Sequence, residues 1–188
     1  MISKKIHLAV FIDASNVWQA QKVKGKVFDF YKLQKYLSRI YQTETITCYY
    51  YTAYPAEGTR TYSTDSKHKF FIYLKKGLGF RVRKKVLKRI AITTGVGTAI
   101  QEKGNMDVEM TIDAIHYKGT YDTALFFSGD SDFLALITYL RNDNKKVYVY
   151  SSRNNVSSEL RTASDGYVDV LTIGDDIWGA SLKHRAEK

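Results

Sequence analysis

Two apolar runs, IHLAVFI (Ile6–Ile12) and YDTALFFS (Tyr121–Ser128), are too continuous for half-exposed strands and too short for buried helices. Runs of this length suit strands covered on both faces, and such strands occur in parallel sheets layered between helices. His7 alone interrupts the first run, as a strand histidine with a partner, and Asp13 ends it. TITCYYYTAY (Thr45–Tyr54), rich in β-branched and aromatic residues, predicts another strand that stops at Pro55, the single proline. KKVYVYS (Lys145–Ser151) adds a fifth and YVDVLTI (Tyr167–Ile173) a candidate sixth.

Segments of helical period separate these strands. FYKLQKYLSRIY (Phe30–Tyr41) has apolar residues at 30, 33, 36, 37, 40 and 41, which is one helix face. ASNVWQAQ can begin a short helix, and residues 59–76 read as an amphipathic one around Phe70, Phe71, Tyr73 and Leu74. Asn105 is expected to cap a helix NMDVEMTIDAIHY with Met106, Val108, Ile112 and Ile115 turned inward. SDFLALITYLRND and SSELRTASD are two further helices, and residues 79–104 predict a third strand running into a hairpin that turns at Gly95 and Gly97. The alternation predicts an α/β fold: one domain over residues 1–173, a mostly parallel sheet of five or six strands, and helices on both faces. Residues 174–188 are then a tail that can dock through Trp178.

Composition narrows the function classes. With 188 residues, 44% of them apolar, the chain can build one core, and no run approaches the ~20 apolar residues needed to cross a bilayer. The amino-terminal stretch lacks an apolar segment followed by a small-residue cleavage site. Cys48 is the single cysteine, so neither an intramolecular disulfide nor a thiolate metal cage can form, and a cytoplasmic location is expected. Lys and Arg number 29 against 19 Asp and Glu, a net charge of +10. That balance suits a polyanionic partner as well as it suits a merely soluble surface. Tyrosine and phenylalanine are abundant and should mostly fill the core, with Tyr50, Tyr51 and Tyr54 as candidates for stacking on bases.

The acids carry the chemistry. Open parallel sheets bind ligands at the carboxyl ends of their strands, where strand order reverses. Asp13 ends the first strand, and Asp130 and Asp132 follow the fourth in FFSGDSDF. Asp107 begins the helix that leads into the fourth strand, so it belongs to the same edge. Each acid has an ordinary alternative: Asp107 and Asp132 as favourable charges at helix starts, Asp130 as a helix cap with Ser131 beside it. Together they would repel one another unless a cation neutralised them, and hard ions such as Mg²⁺ or Mn²⁺ take oxygen ligands of this kind. Asn16, Ser15, Ser128 and Ser131 are polar candidates around the cluster; Glu109 and Asp113 read as solvated or supporting residues. His7, His68, His116 and His184 show no HExxH spacing and no obvious nucleophile, which argues against a zinc hydrolase or a triad. No Walker loop is present.

The ordered set VFIDASN, KGNMDVEMTIDA, YDTALFFSGDSDF and SSELRTASDGYVDV resembles the NYN domain family in its LabA-like branch, within the PIN-like nuclease superfamily. The likeness runs from about Val10 to Val170, with Ala14 standing where glycine is frequent. It implies a three-layer Rossmann-like domain, an acidic pocket binding Mg²⁺ or Mn²⁺, and cleavage of RNA to 5′-phosphate and 3′-hydroxyl ends. By that resemblance Asp13, Asp107, Asp130 and Asp132 are the metal-binding and catalytic acids, with Asn16 as partner of Asp13 and Asp165 as a late acid of unplaced role. The substrate would need cations: Lys103 near Asp107, and Arg81, Arg83 and Lys85 on one face of RVRKKVLKR. Those same residues could instead protect an edge strand. Two rivals remain at this level. One is a non-catalytic RNA-binding or regulatory module; the other is a haloacid-dehalogenase-type phosphatase, disfavoured because too little chain follows Asp130. Monomer and homodimer are both open.

Overall fold

Covered strands must be flanked by helices, and the computed structural model, which describes residues 6–56, 59, 65–94 and 97–182, shows that arrangement. In chain order the elements are β1 (Leu8–Asp13), α1 (Ala14–Lys24), β2 (Lys26–Phe28), α2 (Phe30–Tyr41), β3 (Ile46–Tyr54), α3 (Asp65–Ile72), β4 (Arg81–Val86), β5 (Lys88–Thr94) and β6 (Gly97–Lys103). They continue as α4 (Asp107–His116), β7 (Thr123–Phe127), α5 (Leu134–Asn142), β8 (Lys146–Ser151), α6 (Ser158–Ala163), β9 (Gly166–Asp169) and β10 (Trp178–Ser181). Six strands form one sheet in the order β4-β3-β1-β7-β8-β9, every pair parallel. From β1 the chain builds outward through β3 and β4, then returns to the other side through β7, β8 and β9. The reversal lies at β1.

Strand alternation divides the core in two. Leu8, Val10 and Ile12 face Leu33 and Leu37 of α2 and Val17 and Ala20 of α1. Ala9 and Phe11 face Met110 and Ala114 of α4, Ile137 and Leu140 of α5, and Leu160 of α6. Phe11 stacks between Tyr49 and Phe126 at ring separations of 5.0 Å each, so aromatic contacts tie the three central strands across their shared face. Cys48 lies in this sheet, where burial pushes its thiol up to about 12 against an opposing hydrogen bond with Gln34.

Several expectations need correction. The first strand starts at Leu8; His7 is exposed, and its carbonyl accepts the N–H groups of Asp122 and Thr123. The Thr59–Lys76 helix is, where described, the shorter α3 followed by a π-helical turn at Tyr73–Gly77. Gly95 of the expected turn lies outside the described residues. A small antiparallel pair, β2 with β10, was not foreseen; it carries Trp178, fully buried, whose indole donates to the Val170 carbonyl. Met106, not Asn105, caps α4, and the Asn105 side chain donates instead to Asp107.

The inward face of α4 also differs. Val108, Ile112 and Ile115 are exposed, while Met106, Met110, Asp113 and Ala114 are buried. Polarity decided the orientation: Asp113 accepts two hydrogen bonds from the Arg83 guanidinium at 2.8 and 3.1 Å and one from the Tyr51 hydroxyl at 3.0 Å. Glu109 pairs with Lys85 at 2.6 Å. Burial alone would raise the Glu109 carboxyl, yet Lys85 and backbone hydrogen bonds bring it below its usual range. Neither acid is simply solvated: they dock α4 on the edge strand β4. Among the described residues no helix is long and apolar enough to cross a membrane.

This docking gives a direct contrast. Asp113→Ala leaves the buried Tyr51 hydroxyl and Arg83 without their acceptor and should cost about 2 kcal/mol in urea unfolding. Val108→Ala, on the same helix, should stay within about 0.5 kcal/mol of wild type.

Candidate metal centre

The register between β1 and β7 sets the site. Ile12 lies opposite Phe127, so Asp13 and Ser128 leave the sheet side by side. Asp13 then caps α1 and is buried, and both of its carboxylate oxygens accept hydrogen bonds. Oδ1 accepts from Ser15 N–H at 2.9 Å and Ser15 hydroxyl at 2.8 Å; Oδ2 accepts from Asn16 at 2.6 Å and Ser128 at 3.4 Å. Such a carboxylate is fixed in orientation before anything binds.

Past Ser128 the chain must turn sharply. A Cβ on Gly129 would stand 2.2 Å from the Asn155 carbonyl oxygen, so only glycine lets the two loops approach. Asn16 locks this contact: its side-chain oxygen accepts from Gly129 N–H at 2.9 Å and from the Asn155 amide. Gly129 in turn accepts from Ser157 N–H at 3.0 Å. One asparagine therefore holds Asp13, the Gly129 turn and the Asn155 loop together. Neither spacing nor periodicity distinguishes Asn155 from any turn asparagine, so its role shows only in the fold.

Asp130 caps the 3-10 turn Ser131–Phe133, its Oδ1 accepting Asp132 N–H at 3.1 Å. The ordinary capping role is thus real, and it leaves Oδ2 for a ligand. Asp107 comes from the first turn of α4, which packs against the same 3-10 turn. Carboxylate oxygens of Asp107, Asp130 and Asp132 lie within 4.8 Å of one another, with Asp130 and Asp132 exposed and Asp107 half-buried. Burial raises the Asp107 carboxyl from 3.8 to about 6, helped by the charges of Asp130, Asp13, Asp132 and Glu109. Asp13 stands outside the tightest group but lines one cavity with Asp107 and Asp130.

The donor set is hard oxygen throughout, in a cluster that is electrostatically uncomfortable when ionised, and a divalent cation with oxygen preference fits it. Ser15, Asn16 and Ser128 support Asp13, while Ser131 lies exposed beside Asp130. Lys103 is exposed at the end of β6, just ahead of Asp107. Arg81 lies over the rings of Tyr49 and Tyr117 at 5.2 and 4.8 Å, and Arg83 and Lys85 make the ion pairs described above. Of the tyrosines expected to stack on bases, Tyr50 and Tyr51 are buried in the sheet behind the wall of that cavity, and Tyr54 is partly buried with its ring edge-on to Phe71. Asp165 accepts from Val147 N–H and pairs with Lys146 and Arg141, which holds its carboxyl below the usual range despite partial burial; it anchors α6 to β8 far from the acids.

Comparison with known proteins agrees with this architecture. The chain is 30% identical over 173 residues to the low amplitude and bright protein LabA of Synechococcus elongatus, covering 92% of this chain and 88% of LabA. A crystal structure of a Vibrio parahaemolyticus protein of unknown function superposes with a TM-score of 0.68 at 27% identity, covering 95% of this chain and 99% of that one. The NYN domain family matches residues 7–172, nearly the whole chain, and this protein belongs to that family.

Proposed function

We propose that this protein is a divalent-metal-dependent ribonuclease that hydrolyses RNA phosphodiester bonds. The observation that carries the reading is the meeting of Asp107, Asp130 and Asp132 oxygens within 4.8 Å, at the strand-order reversal of a parallel sheet. Membership of a family within the PIN-like nucleases supports it. Mg²⁺ or Mn²⁺ held by Asp107, Asp130, Asp132 and Asp13 would acidify a water and neutralise charge growing on the scissile phosphate.

The chain's own residues supply the remaining parts. Asn16, Ser15 and Ser128 orient Asp13, so its charge faces the cluster without reorganisation. Asp107, whose carboxyl is raised in the metal-free cluster by burial and by the charges of Asp130 and Asp13, is the acid whose repulsion a bound cation would relieve most. Lys103 is assigned to a flanking phosphate. Arg81, Arg83 and Lys85, partly engaged with α4, add to the positive field of a chain carrying +10 overall, which draws a polyanion toward an acidic pocket.

Purified protein should cleave single-stranded RNA with Mg²⁺ or Mn²⁺ and lose the activity with EDTA. Asp130→Asn should lower the rate at least ~100-fold while RNA binding persists. Binding without cleavage in the wild type, across varied RNAs, would instead identify a non-catalytic RNA-binding module. Asn16→Ala should weaken Mn²⁺ affinity by about 10- to 100-fold in calorimetry, since it frees both Asp13 and the Gly129 turn.

A pH signature follows from Asp107. Its folded carboxyl holds a proton more tightly than the unfolded one, so the stability this contributes is present below about 3.8 and is lost as pH rises through about 6. Asp107→Asn should therefore raise the stability of the metal-free protein at pH 7.5 by about 1 kcal/mol after solvent screening, with little difference near pH 4. Adding Mn²⁺ should raise Tm in the wild type and much less in the variant. Equal melting of the two proteins at pH 7.5 would remove the electrostatic account of the cluster.

A further inference from the structure

Beside the acids lies a cavity of about 860 Å³, within the ~300 to 1,000 Å³ range of small-ligand sites and far more than a metal ion and its waters need. One wall is a single face of α1, where Ala14, Val17, Trp18 and Gln21 recur at helical spacing directly after Asp13. Phe70 of α3 contributes apolar surface, and the hairpin base contributes Asn105 next to Asp107. Trp18 is 48% exposed although it is among the largest apolar side chains of the molecule, and no aromatic partner covers it among the described residues. Gln21 is fixed, because its Oε1 accepts Phe28 N–H at 2.8 Å, and this keeps Nε2 as its donor.

An exposed indole, a held amide and an apolar wall opening onto a carboxylate cluster suit a flat, amphipathic group joined to an anion that the cluster's cation would hold. We infer that this cavity is a nucleoside subsite: the base adjoining the scissile phosphate stacks on Trp18, and Gln21 offers a hydrogen bond to it. The inference rests on the ribonuclease reading for the identity of the ligand. The occupant is one unpaired nucleotide of a single-stranded RNA, since a base within a duplex presents no face to an indole.

Trp18 and Trp178 are the two tryptophans, one half-exposed and the other fully buried, so the fluorescence difference between wild type and Trp18→Phe isolates Trp18. The probes are an oligoadenylate hexamer and an abasic ribose-phosphate hexamer of equal charge, titrated in Ca²⁺, which accepts the same oxygen ligands. The oligoadenylate should quench the Trp18 emission and the abasic hexamer should not. Trp18→Ala should weaken oligoadenylate binding by about 5- to 100-fold, leave the abasic hexamer unchanged, and be largely rescued by Trp18→Phe. Matched melting curves establish that the variants fold, and the titration of unmodified protein stands without them. Equal affinity for both hexamers with unmoved Trp18 emission would overturn the subsite even if RNA is cleaved. Quenching by oligoadenylate in a protein that cleaves no RNA would uphold the subsite and sink the nuclease reading.

Discussion

The pairing of β1 with β7 is the constraint on which the rest depends. With Ile12 level with Phe127, two strands more than 100 residues apart in sequence release Asp13 and Ser128 at the same height. A slip of one residue would turn Leu8, Val10 and Ile12 out of one core and into the other, so hydrophobic burial on both faces enforces the register that the acids require. Stability and site geometry therefore share a cause: the packing that keeps the sheet together also delivers the carboxylates.

What burial assembles, electrostatics opposes. Asp107, Asp130 and Asp132 crowd one another, with the charge of Asp13 close enough to add to the strain on Asp107. The fold copes by spending hydrogen bonds on the acids it can reach. Asp13 receives donors on both oxygens, Asp130 is tied down as a cap, and Asn16 clamps the loops behind them. Asp107 receives little besides Asn105, and burial together with the residual repulsion raises its carboxyl. A cation bound there would satisfy the balance that the protein leaves open.

Much of this was legible in the sequence, and the misses have physical reasons. Continuous apolar runs marked the central strands, and their order located the acids at one edge, because both follow from two-sided burial. Helix periodicity failed on α4, where Val108, Ile112 and Ile115 read as the inward stripe, because Asp113 and Glu109 were drawn to Arg83 and Lys85 on a strand whose position depends on tertiary packing. The β2–β10 pair was invisible for the same reason: strands of three and four residues carry no periodicity, and only Trp178 hinted at them. Asn155 and the cavity wall of Trp18 belong to loops and faces that nothing local distinguishes.

The proposed function requires Asp107, Asp130 and Asp132 to form one cation site. A crystal grown with Mn²⁺, measured at the manganese absorption edge, tests it most directly. An anomalous peak is expected, bounded by carboxylate oxygens of Asp107, Asp130 and Asp132 at about 2.0 to 2.3 Å, near the spacing of small hard divalent ions. Ordered crystals with no manganese at that position, or with the three carboxylates splayed apart and the ion elsewhere, would contradict it.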